Sequence, residues 1–338
     1  MANENSPGPM GWGIPNEPIQ VWVDTEHKTL DDLAAVVPQR LMRADPKPIN
    51  EELLAKVQEI QQANGIERGF CFLYLAEAVF GNQLPWLAQL IGSCVASGDM
   101  RTTSYRMLAE VFALNDPESL PGIDIDGPDS LAFFAPYNYR AGRKEAGING
   151  NSDGSLCLPH IKGKMKYGHL PCSTPGLRSD KFPEPQNQNT YRAWGANNDL
   201  LDEFSSFGKK FVLLESEPIK TPEDAKSVIV DGLKPCNICS MWSFEPDYKH
   251  PTWTDSAGEP VWIWKRGSQP WAHNMSVIGY VFVGDKWFVI IENSWGKYHK
   301  GRTWFAIPES LFGSWLKQAE CQSVGEMDLS DNPPAWPG

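Results

Sequence analysis

The chain has 338 residues, enough to bury the core of one large domain or two small ones. Its 42 acidic residues against 30 basic ones leave a formal charge of −12, which argues against a general phosphate-binding surface and so against nucleic acid as the main partner. No apolar run approaches bilayer-spanning length, and Met1-Ala-Asn-Glu-Asn-Ser-Pro-Gly-Pro9 has neither a basic n-region nor an apolar h-region, so the expectation is a soluble, cytoplasmic chain with no membrane partner.

The first 48 residues are rich in Pro and Gly, with a strand-like run at Ile19-Gln-Val-Trp-Val23 and a short helical stretch near Thr29 to Leu41. Asn50 then opens an amphipathic helix: it is an N-cap type, Glu51 and Glu52 fill the first turn, and Leu53, Leu54, Val57 and Ile60 share one face. Residues 66–115 read as a helical half. Phe70 to Phe80 is apolar almost all round and reads as buried, and Pro85 resets the chain. From Cys94 to about Leu114 a second helix follows, with Val95, Met107, Leu108, Val111 and Phe112 on its buried side. Gly98 inside it costs about 1 kcal/mol against Ala, which predicts close packing or a bend there. Residues 116–200 read as loop-rich, with Pro117, Pro121, Pro128 and the turn-prone Asn149-Gly-Asn-Ser-Asp-Gly154.

Beyond residue 200 the pattern turns to strands. Lys210 to Glu215 and Cys236 to Phe244 read as strands, with a helix between them that starts at Thr221 as N-cap and Pro222 at its first position. Met275 to Val283 and Lys286 to Asn293 form a hairpin across Gly284-Asp285, and Thr303 to Ile307 adds another strand. Asp255 to Glu259 and Lys265 to Gln269 read as loops.

The hairpin carries the chemistry. His273 opens His-Asn-Met-Ser-Val-Ile-Gly279-Tyr280 and Asn293 closes the next strand in Ile291-Glu-Asn-Ser-Trp-Gly296, so a histidine and an asparagine can face each other. Upstream, Gln89-Leu-Ile-Gly92-Ser93-Cys94 puts a thiol at the start of a predicted helix. The unsatisfied amides of a helix N-terminus lower a thiol's pKa, and an adjacent imidazolium lowers it further. Alone, Cys94 reads as an inert thiol and His273 as a core histidine; in the order Cys, His, Asn they read as a nucleophilic site. Cys236-Asn-Ile-Cys239 suggests a redox or metal pair, yet no second pair stands at zinc spacing. Structural thiols are therefore expected there, and all seven cysteines are expected reduced. His27, His160, His169, His250 and His299 have no metal-like spacing and read as surface or structural residues. Trp253, Trp262 and Trp264 read as core or wall residues. Neither a metal nor an organic cofactor is expected.

Gly-Ser-Cys far upstream of a His…Gly-Tyr strand and of Asn-Ser-Trp-Gly resembles the papain-like cysteine peptidase family, in its bacterial and viral branch. Three softer matches extend the resemblance: the tyrosine-rich Phe133-Phe-Ala-Pro-Tyr-Asn-Tyr-Arg140, the glycine loop Asp153-Gly-Ser-Leu156, and Ile161 to Gly168, a helix ending in Tyr-Gly. The resemblance implies an α+β, papain-like two-lobed fold: a helical half at about 66–200, an antiparallel β-sheet or barrel half at about 201–325, and the site in the cleft between them. Residues 1–65 would be an N-terminal arm or propeptide-like segment and 326–338 a C-terminal tail. The implied activity is thiol-dependent hydrolysis of peptide (amide) bonds through a thioester acyl-enzyme, with a peptide or protein as substrate. Cys94 is then nucleophile, His273 general acid and base, and Asn293 the orienting residue. Gly92, Ser93, Trp271 and Trp295 line the substrate, and Trp295 covers the His–Asn bond.

Three positions depart from the family. The half-cystine that secreted members carry three residues before the nucleophile is Ile91, and the tryptophan after it is Val95. The oxyanion glutamine six residues before is Ala88; Gln89, five before, is assigned that role, with Gln83 as the fallback. These departures and the N-terminal segment motivate the alternative, a papain-fold structural or binding protein that does not turn over, such as a virion or assembly component. Transglutaminase-type and cell-wall amidase relatives share Cys and His but lack Asn-Ser-Trp-Gly.

Overall fold

A computed structural model describes residues 49–85, 89, 91–114, 127–150, 153–174, 177, 188–270, 272–294, 302–325 and 327–328. The expected strand at Ile19–Val23, the helical stretch near Thr29, Trp271, Trp295 and the tail beyond 328 lie outside the described residues.

Helix α1 (Glu51–Ala63) starts where the Asn50 side chain accepts a hydrogen bond from the Leu53 amide at 3.0 Å. Its Val57 is buried, and Leu53, Leu54 and Ile60 pack on the main core. Buried Gln61 donates to the Gly69 carbonyl (3.1 Å) and accepts from the Cys71 amide (2.8 Å), tying α1 to strand β1 (Arg68–Cys71). The apolar run at 70–80 therefore splits: Phe70 and Cys71 are strand, and only Phe72–Phe80 is helix α2. Continuous apolarity suits a buried strand and a buried helix alike, so the pattern alone does not mark the break.

Helix α3 (Cys94–Leu108) runs on into a π-helical turn at Ala109–Ala113. All of α3 is buried, Asp99, Arg101 and Arg106 included, so the single buried side expected from its apolar residues is wrong. Among the described residues, the segment read as loop-rich is also largely helical: α4 (Ala135–Glu145), α5 (Cys157–Tyr167), which takes in the helix expected to end in Tyr-Gly, α6 (Gln188–Ala196) and α7 (Asn198–Gly208). Its polar side chains point inward and satisfy backbone groups. Arg140 and Arg143 are fully buried and both donate to the Gly195 carbonyl (2.7 and 3.1 Å). Helix α5 ends at Gly168, φ +73°, where a Cβ would stand 1.9 Å from the Gly208 carbonyl oxygen. Only glycine fits there.

The expected strand at 210–215 shrinks to β2 (Val212–Leu213), after a 3₁₀ turn at Lys209–Phe211. Helix α8 (Pro222–Lys226) has the predicted start, a capping box between Thr221 and Asp224 with Pro222 in the first turn. Then come β3 (Cys236–Ser240), β4 (Phe244–Thr254), β5 (Pro260–Arg266), β6 (His273–Val283), β7 (Lys286–Glu292), β8 (Trp304–Pro308), α9 (Glu309–Leu316), β9 (Glu320–Ser323) and β10 (Met327–Asp328). The single strand expected over 236–244 ends at Ser240, and Lys265 and Arg266, expected in a loop, extend β5.

The main sheet runs β4-β5-β8-β7-β6-β3-β9, with β1 also on β6. Strand β6 is its spine: β7 lies along one edge, while β3 pairs with its first half (Ser240 opposite His273) and β1 with its second (Cys71 opposite Gly279). Pairing is antiparallel except where β5 meets β8 at Ile263 and Ala306. Helices and sheet share one large core. Trp253 and Trp264 belong to it, and Trp262 is half-buried.

Cys157 and Cys239 form a disulfide (Cα–Cα 6.5 Å) that joins α5 to β3. This corrects the expectation of seven reduced cysteines. Cys239 pairs not with Cys236, on its own strand, but with a residue 82 positions away, a partnership no local spacing reveals. Cys71, Cys236 and Cys321 keep buried thiols.

Candidate active site

The loop entering α3 is held from both sides. A Cβ on Gly92 would meet the Asp153 Cβ and the Gly154 amide nitrogen, each at 3.1 Å, so glycine lets this loop press on the glycine loop at 153–154. Ser93 is the N-cap of α3, is buried, and makes no capping hydrogen bond with its side chain. Cys94 thus begins a 15-residue helix whose first-turn amides its cap side chain leaves uncapped.

Gln89 bridges this loop to the turn after β7. Its amide donates to the Ser294 carbonyl (2.9 Å), its Oε1 accepts from Ser294 Oγ (3.1 Å), and its Nε2 donates to the Ile91 carbonyl (2.8 Å). Gln83, the fallback, is exposed. Of the two glutamines, Gln89 is the one built into the loop before Cys94.

His273 is the first residue of β6, and its Nε2 lies 2.7 Å from Asn293 Oδ1. An amide oxygen only accepts, so Nε2 carries the hydrogen of the neutral ring and Nδ1 the lone pair. The same Oδ1 accepts from the Ser294 amide (2.6 Å), and the Asn293 amide donates to the Thr303 carbonyl (3.0 Å). The asparagine is therefore fixed through both its side chain and its backbone.

The first turn of α3 rests on the first residues of β6. At Gly98, one turn past Cys94, a Cβ would stand 2.4 Å from Asn274 Oδ1, and Ser276 Oγ donates to the Gly98 carbonyl at 3.0 Å. Residues i and i+4 share a helix face, so Cys94 and Gly98 lie on one side of α3. The close packing expected at Gly98 is what makes the approach.

Cys94, His273 and Asn293 are 1%, 2% and 3% exposed. Burial pushes the His273 imidazole down to about 4, with the hydrogen bond to Asn293 pulling the other way. Burial thus favours the neutral ring at pH 7, and a thiolate beside it is what would hold its second proton. Val95, in the position where the family has tryptophan, packs in one cluster with Cys94, Cys157 and Cys239.

Behind the site lies a buried polar layer that the sequence reading missed. Asp99 pairs with Lys164 and accepts from Asn237 Nδ2 at 3.1 Å; His169 stands between Thr103 Oγ1 (2.8 Å) and the Phe211 carbonyl (3.1 Å). Burial is the main cause that pushes His160 and His169 down to about 3. Both are structural residues. A second pair, Arg101 with Glu292, joins α3 to the residue before Asn293. Its only sequence signal is position: Arg101 follows Cys94 by seven residues, two helical turns. Among the described residues no group of three His, Cys, Asp or Glu side chains is placed to hold a metal ion, and no helix is long and apolar enough to cross a membrane.

The chain is similar to solved cysteine protease structures. One is xylellain, a cysteine protease from Xylella fastidiosa, at 12% identity over 82% of this chain and 90% of that one, with a TM-score of 0.47. Another is procathepsin B S9 from Trypanosoma congolense, at 10% identity over 86% of this chain and 85% of that one, with a TM-score of 0.45. No family model and no curated protein matches the sequence. At such scores the weight falls on the site's own geometry.

Proposed function

We propose that the chain is a papain-like cysteine peptidase of the bacterial and viral type, acting on a peptide or protein in a cleft between a helical and a sheet half. The observation that carries this reading is the 2.7 Å bond from His273 to Asn293, on the strand against which the Cys94 helix rests. The Cys94 thiolate attacks the carbonyl carbon, and the C=O π electrons move to oxygen. The Cys94 amide and the Gln89 side chain stabilise that oxyanion, at about 3 kcal/mol per well-aimed donor. Collapse of the intermediate breaks the C–N bond, and His273 delivers its Nδ1 proton to the leaving amine. The ring then takes a proton from water, which attacks the thioester and releases the acid and the thiolate. Asn293 keeps the ring in the tautomer and orientation for both transfers. Gly92, Ser93, Trp271 and Trp295 line the substrate. The chemistry asks for no metal or cofactor.

The near-complete burial of Cys94, and the burial that pushes the His273 imidazole down, favour a second reading, a papain-fold binding or structural protein in an assembly such as a virion. One comparison separates them: hydrolysis of a peptide library by wild type and by Cys94→Ala. A peptidase loses at least about 10³-fold in kcat, as triad enzymes do when the nucleophile is removed. Equal rates favour the binder.

A further inference from the structure

Arg101 and Glu292 are both buried, at 7% and 3% exposure, and meet in a two-pronged contact: Nε to Oε2 at 2.7 Å and Nη2 to Oε1 at 2.9 Å. Arg101 stands two turns after Cys94 on nearly the same face of α3, and Glu292 directly precedes Asn293. The guanidinium also donates to the Pro85 carbonyl (2.5 Å) and the Leu84 carbonyl (3.4 Å), where the chain sets off toward Gln89 and Cys94. On the other side, Glu292 Oε1 accepts from Thr303 Oγ1 (2.9 Å), and the Thr303 carbonyl accepts the Asn293 amide (3.0 Å). Arg101, Glu292 and Asn293 line one small cavity between helix and sheet.

A desolvated ion pair is a poor source of stability, because apolar residues of similar volume commonly replace one at little or no loss. What a planar fork supplies instead is direction: it holds its partner at one distance and one angle. Here the fork ties together the nucleophile's helix, the loop that carries Gln89, and the strand end that carries Asn293.

We propose that Arg101 and Glu292 are positioning residues, a clamp that sets the distance and angle of His273 and Asn293 relative to Cys94. The proposal rests on the peptidase reading above. The clamp touches no reacting atom and acts through the register of α3 on β7. A misplacement on the order of 1 Å costs about 10²-fold in rate, so loosening the clamp should be read in kcat rather than in substrate binding.

The test uses the full chain with Arg101→Met combined with Glu292→Gln, which leaves no orphan charge and keeps an acceptor for Thr303, and separately Arg101→Lys, which keeps the charge but loses the fork. Thermal melts establish folding. Kinetics on a cleaved library peptide and the pH profile of Cys94 alkylation by iodoacetamide then read the site. The expected result for both is a kcat lower by about 10²-fold, a KM changed by less than about threefold, and an alkylation profile moved up toward that of an ordinary thiol. Folded variants with unchanged kcat and profile overturn the clamp. Unfolding of both variants assigns the pair a structural role alone and overturns it too. A wild type that cleaves no peptide sinks the peptidase reading instead, and the alkylation profile still tests the clamp without turnover.

Discussion

Gly98 shows how much of the site hangs on single atoms. Alanine there would gain about 1 kcal/mol of helix propensity if nothing stood in the way, but its Cβ would lie 2.4 Å from Asn274 Oδ1 and 3.1 Å from Cγ. Asn274 is buried and adjoins His273, and overpacking of that kind costs about 1–3 kcal/mol. Gly98→Ala is therefore expected to destabilise by about 1 kcal/mol net, read as a lower urea midpoint at unchanged slope. A stabilised variant would mean that Asn274 swings out freely. As candidates, Cys94, His273 and Asn293 stand out in the sequence because chemistry confines such a site to a few residue types in a fixed order. Arg101, Glu292, Asp99 and Lys164 do not: a charge reads as solvent-facing until a partner far along the chain is known to bury with it.

Among the elements, those with local punctuation were legible. Asn50 and Thr221 announce α1 and α8 through cap chemistry, and Gly284-Asp285 announces the β6–β7 hairpin. The helices at 135–145 and 188–208 hid behind Pro, Gly and Asn, and behind inward-facing Arg140 and Arg143, which invert the usual amphipathic pattern, whereas the helix ending in Tyr167-Gly168 was legible through the family resemblance. The β4–β5 hairpin hid behind Pro246, Pro251 and Pro260. Proline weakens a strand reading, and the pairing there shifts register on either side of Pro251. The Cys157–Cys239 bridge is invisible to local pattern for the same reason as the buried charges, since tertiary proximity decides it.

At the scale of the whole molecule, burial of three histidines couples stability to pH. His160 and His169 are held at about 3 and His273 at about 4, below the ordinary 6.5, chiefly by burial. Between those values and 6.5 the unfolded chain binds protons that the folded one refuses, so stability is full above about pH 6.5 and falls as the medium acidifies. Asp99, which burial holds above its ordinary value while Lys164 and Asn237 pull the other way, acts in the opposite sense. Three histidine protons at about 1.4 kcal/mol each set a ceiling of about 4 kcal/mol lost per pH unit between pH 6 and 4, which Asp99 lowers. Urea unfolding at pH 7, 6 and 5 measures that slope, and a flat profile would show that the histidines titrate freely.

The proposed chemistry depends on one thiol being unlike the other four outside the disulfide. Cys71 sets the contrast, because burial pushes it up to about 12. Stoichiometric iodoacetamide at pH 6, followed by mass mapping of every cysteine, tests this most directly. The expected result is that Cys94 is labelled at least about tenfold faster than the rest, since only a depressed pKa keeps thiolate at that pH. Labelling of Cys94 at the rate of its neighbours, or only above about pH 8.5, would contradict the account.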